Sequence, residues 1–134
     1  MLNLFLDDIR MPDDVVWVKL PQVEWIIVRN YNEFVKEVLT NGIPNIVSFD
    51  HDLGFEHQRD YFNVQKNPDK IIDPLKLNYK KYKEKTGYDA AKWLVEYCID
   101  KNVSFPEYYI HSMNPIGARN IESYIQCYLK SLLK

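Results

Sequence analysis

Two short apolar runs, Leu4-Phe5-Leu6 and Ile46-Val47-Ser48-Phe49, each stop abruptly on acids: Asp7-Asp8 after the first, Asp50-His51-Asp52 after the second. Runs of this length and composition suit buried central strands. An end that gathers carboxylates is repulsive unless something positive lies between them. If the two strands are parallel neighbours, Asp7, Asp8, Asp50 and Asp52 meet at one edge of a sheet. Such a set of oxygen donors suits a hard divalent cation, Mg²⁺ or Mn²⁺, and so points to phosphate chemistry.

The rest of the chain supplies the sheet those strands need. Strand one is expected over Asn3–Asp7, strand two over Trp25–Arg29, strand three over Ile46–Asp50 and strand four over Tyr108–Ser112. Residues 9–23 contain Pro12 and Pro21 and read as irregular, with a short strand expected at Val15–Val18. A helix capped by Asn32 follows strand two, with Phe34, Val35, Val38 and Leu39 on one face and Asn41-Gly42 as its stop. Thr86-Gly87-Tyr88-Asp89 reads as a capping box that opens a second helix, with Ala90, Ala91, Leu94, Tyr97 and Cys98 on its apolar face. Asn114 and Pro115 open a third, striped by Ile121, Tyr124, Ile125, Tyr128, Leu129 and Leu132.

Strands alternating with helices imply right-handed βαβ crossovers and a mostly parallel sheet. The expected fold is an α/β, flavodoxin-like three-layer sandwich with four strands in the order 2-1-3-4. Its switch point falls between strands one and three, at their carboxyl ends. All four acids lie there.

The chain has 134 residues, enough for one domain with a core and too few for two ordinary ones. Between strand three and the second helix lie residues 55–86, a connection too long for a plain loop and carrying Phe55, Tyr61, Phe62, Tyr79 and Tyr82. This insertion is expected to act as a basic lid, with a short helix at Tyr79–Lys85. Residues 1–55 hold 9 acids and 4 bases, and residues 56–86 hold 5 acids and 8 bases, so an acidic half faces a basic insertion. That distribution suits a metal site approached by an anion. The net charge of −2 argues against general binding of duplex nucleic acid. No apolar run is long enough to span a membrane and no leader is evident, so a cytoplasmic protein is expected. Cys98 and Cys127, both at apolar helix positions, read as reduced core cysteines.

A second constellation follows strand four: His111-Ser112-Met113-Asn114-Pro115-Ile116-Gly117-Ala118-Arg119. It brings an imidazole and a hydroxyl to the same crevice and then opens a helix, whose first amides and positive dipole end suit an anion. Ser112, Asn114 and Gly117 are therefore candidate phosphate-binding residues, although Asn114-Pro115 is also simply a good helix start and Gly117 a good packing contact. His111 is the candidate general acid/base. His51 is a candidate ligand or proton shuttle, or else a buried histidine held by hydrogen bonds. Arg10 and Arg119 are candidate phosphate clamps, and Arg10 is also placed to neutralise Asp7 and Asp8.

These segments resemble the cyclic-phosphate processing branch of the response-regulator receiver superfamily. The resemblance is carried by Leu4–Pro12, Val28–Phe34, Ser48–Gly54, Gly87–Leu94 and His111–Ile121, and it spares only residues 55–86. It implies a receiver-like sheet and a metal pocket of Asp7, Asp8 and Asp50, with Asp50 at the phosphoacceptor position and Ser112 as the hydroxyl residue ending strand four. It departs from ordinary receivers in lacking a fifth strand and the lysine that follows it. The function expected is metal-dependent opening or hydrolysis of a cyclic phosphate on a nucleotide or RNA end, with Asp50, His111 and His51 as catalytic residues. The rivals are a non-catalytic module that binds a nucleotide, a phosphate ligand or a protein partner, and a haloacid-dehalogenase-like phosphatase built on Asp50-His51-Asp52.

Overall fold

The computed structural model describes residues 2–53 and 85–133. The expected lid and the helix at Tyr79–Lys85 fall outside the described residues, save for Lys85 and Thr86. Four strands, β1 (Asn3–Leu6), β2 (Ile26–Val28), β3 (Ile46–Phe49) and β4 (Glu107–Ile110), form one parallel sheet in the order β2-β1-β3-β4. Three helices, α1 (Tyr31–Asn41), α2 (Gly87–Lys101) and α3 (Pro115–Ser131), follow β2, β3 and β4. The architecture is the α/β fold with a parallel 2-1-3-4 sheet expected from the alternation of elements, and it is the receiver-like fold that the resemblance implies.

Strand parity divides the sheet into two faces. Leu4 and Leu6 of β1, with Val47 and Phe49 of β3, join Phe34, Val38, Ala90, Leu94, Ile121 and Ile125 of the helices in one buried cluster. Helix α2 packs between α1 and α3. On the opposite face Phe5 is fully buried, with Trp25 edge-on to it at 6.1 Å between centroids. Among the described residues, the irregular segment before β2 supplies that cover.

Local chemistry fixes where the helices begin. The side chain of Asn30, not Asn32, caps α1 by accepting from the Glu33 amide. Asn32 instead lies in the first turn, because the helix opens one residue after Asn30. The Thr86–Asp89 capping box opens α2 as expected. Gly42, with φ of 95°, stops α1 in a conformation that favours glycine.

Other expectations need correcting. No strand forms at Val15–Val18; Pro12–Asp14 make a single 3-10 turn, after which Val15 is buried while Val16 stays exposed. Pro12 presets that turn and Asp14 closes it on the Met11 amide at 2.8 Å. Cys127 is exposed on α3, whereas Cys98 is buried and its thiol is pushed up to about 11 by desolvation. Leu39 and Leu132, assigned to apolar stripes, are exposed.

Candidate functional site

The strand register assembles the site. Leu6 pairs with Val28 on one side and Phe49 on the other, and Phe49 pairs with Ile110. One step further along the chain stand Arg29, Asp7, Asp50 and His111, side by side at the carboxyl edge of the sheet. Backbone bonds carry the ladder that far: Asp7 N donates to Val28 O, Asp50 N to Leu6 O and His111 N to Phe49 O, at 2.9–3.1 Å. Parity puts these side chains on the face of Phe5 and Ser48, away from the helices.

Asp7 is fully buried and heavily bonded. Its Oδ1 accepts from the amides of Ile9 and Arg10 at 3.0 and 2.8 Å, while Oδ2 lies 3.0 Å from His111 Nε2 and 3.7 Å from an Arg10 guanidinium nitrogen. Burial pushes its pKa up, but the His111 bond and the two amides more than offset this and hold it at about 2. An ionised carboxylate can only accept, so Nε2 of His111 carries the proton. Burial also keeps the His111 ring neutral by lowering its pKa. Its Nδ1 therefore accepts from the Ser48 hydroxyl at 2.6 Å. The ring stacks on Phe5, 4.5 Å between centroids and 7° from parallel, with no exposed surface.

Asp50 has the opposite fate. Desolvation comes first, then the charges of Asp7, Asp52 and Asp8, and together they push it up to about 8 despite a bond from the His51 amide. Asp8, half-buried, is raised to about 6 by burial and by Asp7. Asp7, Asp50 and His111 each offer one ligand atom within 4.8 Å of the others. Burial first, and then the three nearby acids, disfavour a charge on Asp50, so the edge is short of positive charge. The donor set fits a hard divalent cation, which would relieve that repulsion.

Asp52 and His51 turn elsewhere. The strand ends at Phe49, so alternation does not persist and Asp52 does not line up with Asp50. His51 Nδ1 lies 2.8 Å from Asp52 Oδ1, and Asn114 Nδ2 donates to both Asp52 oxygens at 3.2 and 3.3 Å. Asn114 Oδ1 in turn accepts from the amides of Ile116 and Gly117. This buried chain ties the end of β3 to the start of α3. Three of the candidates thus have partners within the protein: Asp52 bonds His51 and Asn114, the buried His51 ring lies against Gly117 of α3, and the Gly117 amide donates to Asn114. Gly117 is small because the His51 ring lies against it. Ser112, half-buried, accepts from the Asn114 amide at 3.1 Å, and Arg119 is exposed on the first turns of α3.

Three contributors had no role in the sequence reading. Arg29 donates to the carbonyls of Asp7 and Arg10 at 3.1 and 2.7 Å and so clamps the loop that carries the acids. Trp17 donates from Nε1 to the His111 carbonyl at 2.8 Å, and the Arg10 guanidinium lies over its ring at 5.3 Å. Ser48 was legible in principle, since a lone hydroxyl inside an apolar strand demands a buried partner. Arg29 and Trp17 left no comparable signal.

A parallel 2-1-3-4 sheet with acids at the carboxyl ends of its two interior strands defines a receiver-like domain. The model of the cyclic-phosphate processing Receiver domain family matches residues 2–127, and the chain belongs to that family. No curated protein and no solved structure matches it. No helix among the described residues is long and apolar enough to cross a membrane.

Proposed function

We propose that this domain binds Mg²⁺ or Mn²⁺ and hydrolyses, or opens, a cyclic phosphate on a nucleotide or RNA end. The observation that carries the reading is the buried cluster at the carboxyl edge of the sheet, where one ligand atom each of Asp7, Asp50 and His111 lies within 4.8 Å of the others. Asp7, Asp8 and Asp50 would hold the cation. Bound there, it would offset charge on the phosphoryl oxygens. Hydrolysis breaks one ring P–O bond, with water supplying hydroxide to phosphorus and a proton to the departing oxygen.

The chain's own residues prepare this chemistry. Arg29 and the two amides on Oδ1 hold Asp7 in place, and His111 orients its other oxygen. Arg10, partly exposed beside Asp7, is a cation available to a phosphate oxygen. A sealed ring with both nitrogens engaged positions Asp7 better than it shuttles protons.

That same sealing favours a second reading, a receiver-like module that binds a phosphate ligand without turnover. The phosphatase reading has less behind it, because both Asp52 oxygens bond Asn114 and one also bonds His51. The deciding experiment incubates the full chain with a panel of cyclic phosphates, with Mg²⁺ and with EDTA. Metal-dependent ring opening supports the hydrolase. Saturable binding without product supports the module.

A further inference from the structure

Beside the carboxylate edge, a groove of about 430 Å³ is lined by Pro12, Asp13, Trp17, Lys19, Gln22 and Trp25 among others. Its volume lies toward the small end of ligand pockets, which run from about 300 to about 1,000 Å³. The walls mix indole, proline and valine surface with an amide, a carboxylate and an ammonium. That mixture suits a flat heterocycle with polar edges better than an aliphatic chain. Trp17 is 40% exposed and Val16 at the rim is 85% exposed.

Two short contacts link this groove to the acids. The Arg10 guanidinium stands 3.7 Å from Asp7 and 5.3 Å from the centre of the Trp17 ring. The indole is held in place by its bond to the carbonyl of His111, a residue of the acid row itself. A guanidinium therefore sits between a carboxylate pair suited to a metal-bound phosphate and an aromatic wall. A molecule with an anion at one end and a planar aromatic at the other matches that order of groups.

We infer that the Trp17 groove receives the base of a nucleoside cyclic phosphate, making Trp17 a specificity-determining residue. This rests on the cyclic-phosphate reading for the neighbouring acids, and adds a base subsite to it. Stacking on an aromatic side chain tolerates any base, so the subsite should select for a base without strongly choosing which one.

The test compares a nucleoside 2′,3′-cyclic phosphate with methyl riboside 2,3-cyclic phosphate, which carries the same phosphate ring and no base. Binding is measured by calorimetry with Mg²⁺. The base should tighten binding about tenfold or more. Trp17→Ala should erase that advantage, read within the variant as the ratio of base-bearing to base-free affinity, while Trp17→Phe should keep most of it. Val16→Asp, at an exposed rim position that folding does not need, should weaken only the base-bearing ligand. Equal affinities in the wild type, or an advantage that survives both Trp17→Ala and Val16→Asp, would overturn the subsite. A dinucleotide ending in the same cyclic phosphate separates the sources: tighter binding assigns an RNA end, weaker binding a free nucleotide, and both keep the base in the groove. Free nucleoside provides an arm independent of phosphate chemistry. It should shift the Trp17 indole N–H resonance saturably even if no cyclic phosphate is turned over, and an unmoved resonance at millimolar nucleoside sinks the inference.

Discussion

Asp7 and His111, 104 residues apart in the chain, meet at 3.0 Å in a fully buried pair. Each settles the other's protonation. The ionised carboxylate draws the ring proton to Nε2, and the neutral ring leaves Nδ1 to accept from Ser48. Asp7 is thereby kept ionised at about 2, while Asp50 beside it is pushed up to about 8. Two adjacent carboxyls with opposite shifts give the edge its chemistry.

Asp50→Asn should stabilise the metal-free protein and abolish its response to metal. The folded pKa of Asp50 lies above its ordinary 3.8, so the folded state holds a proton the unfolded state has released. Stability linked to Asp50 therefore falls as pH rises from 3.8 to about 8. The melting temperature of Asp50→Asn should pull ahead of wild type across that window, most at its alkaline end. Wild type should gain stability with Mg²⁺ by mass action, and the variant should not. A preserved metal response in Asp50→Asn would eliminate this cation site.

For Asp7 the sign reverses. Its folded pKa of about 2 lies below 3.8, so its contribution is present above 3.8 and lost as pH falls toward 2. Asp7→Asn should cost about 1.5–3 kcal/mol near neutrality, the range for hydrogen bonds to a charged group. The difference from wild type should shrink in acid, as chemical denaturation at pH 7 and pH 3 would reveal.

His111→Gln separates positioning from proton transfer. Losing a ring that bonds Asp7 and Ser48 and stacks on Phe5 should lower stability by about 2 kcal/mol or more. Ser48→Ala should cost about 1 kcal/mol, because it removes one hydroxyl bond only. In a positioning role, turnover per folded molecule should fall modestly in both variants. A drop of about 10²–10⁴ confined to His111→Gln, with folding intact, would restore the general acid/base assignment.

Two glycines should fail differently. A Cβ on Gly87 would run into the Asp50 carbonyl, which is backbone held by the sheet. A Cβ on Gly117 would meet the His51 ring, a side chain. Gly87→Ala should cost several kcal/mol, on the order of other severe core changes, with no single substitution to rescue it. Gly117→Ala should be partly rescued by His51→Ala, measured as a double-mutant cycle in denaturant. Absence of coupling there would show that the ring moves aside at little cost.

The sequence by itself determined the elements, their order and the acids at the strand ends. Those are local signals: apolar runs of strand length, a Thr86–Asp89 capping box, Asn114-Pro115 at a helix start. Alternation of strands and helices then limited the topology to a mostly parallel sheet with right-handed crossovers, for which the flavodoxin-like 2-1-3-4 order is the expectation. What each acid does was decided only by the tertiary structure. Asp50 and Asp52 look alike in sequence, yet one joins Asp7 in the sheet row while the other bonds His51 and Asn114, because the strand ends at Phe49 and the chain turns. His111 reads as a candidate general acid/base at a strand end; that Phe5 stacks on its ring, Ser48 bonds Nδ1 and Trp17 bonds its carbonyl is visible only in the fold. Burial and partner geometry are sums over residues distant in sequence, so no local pattern encodes them. They set the pKa values, and the pKa values set the chemistry.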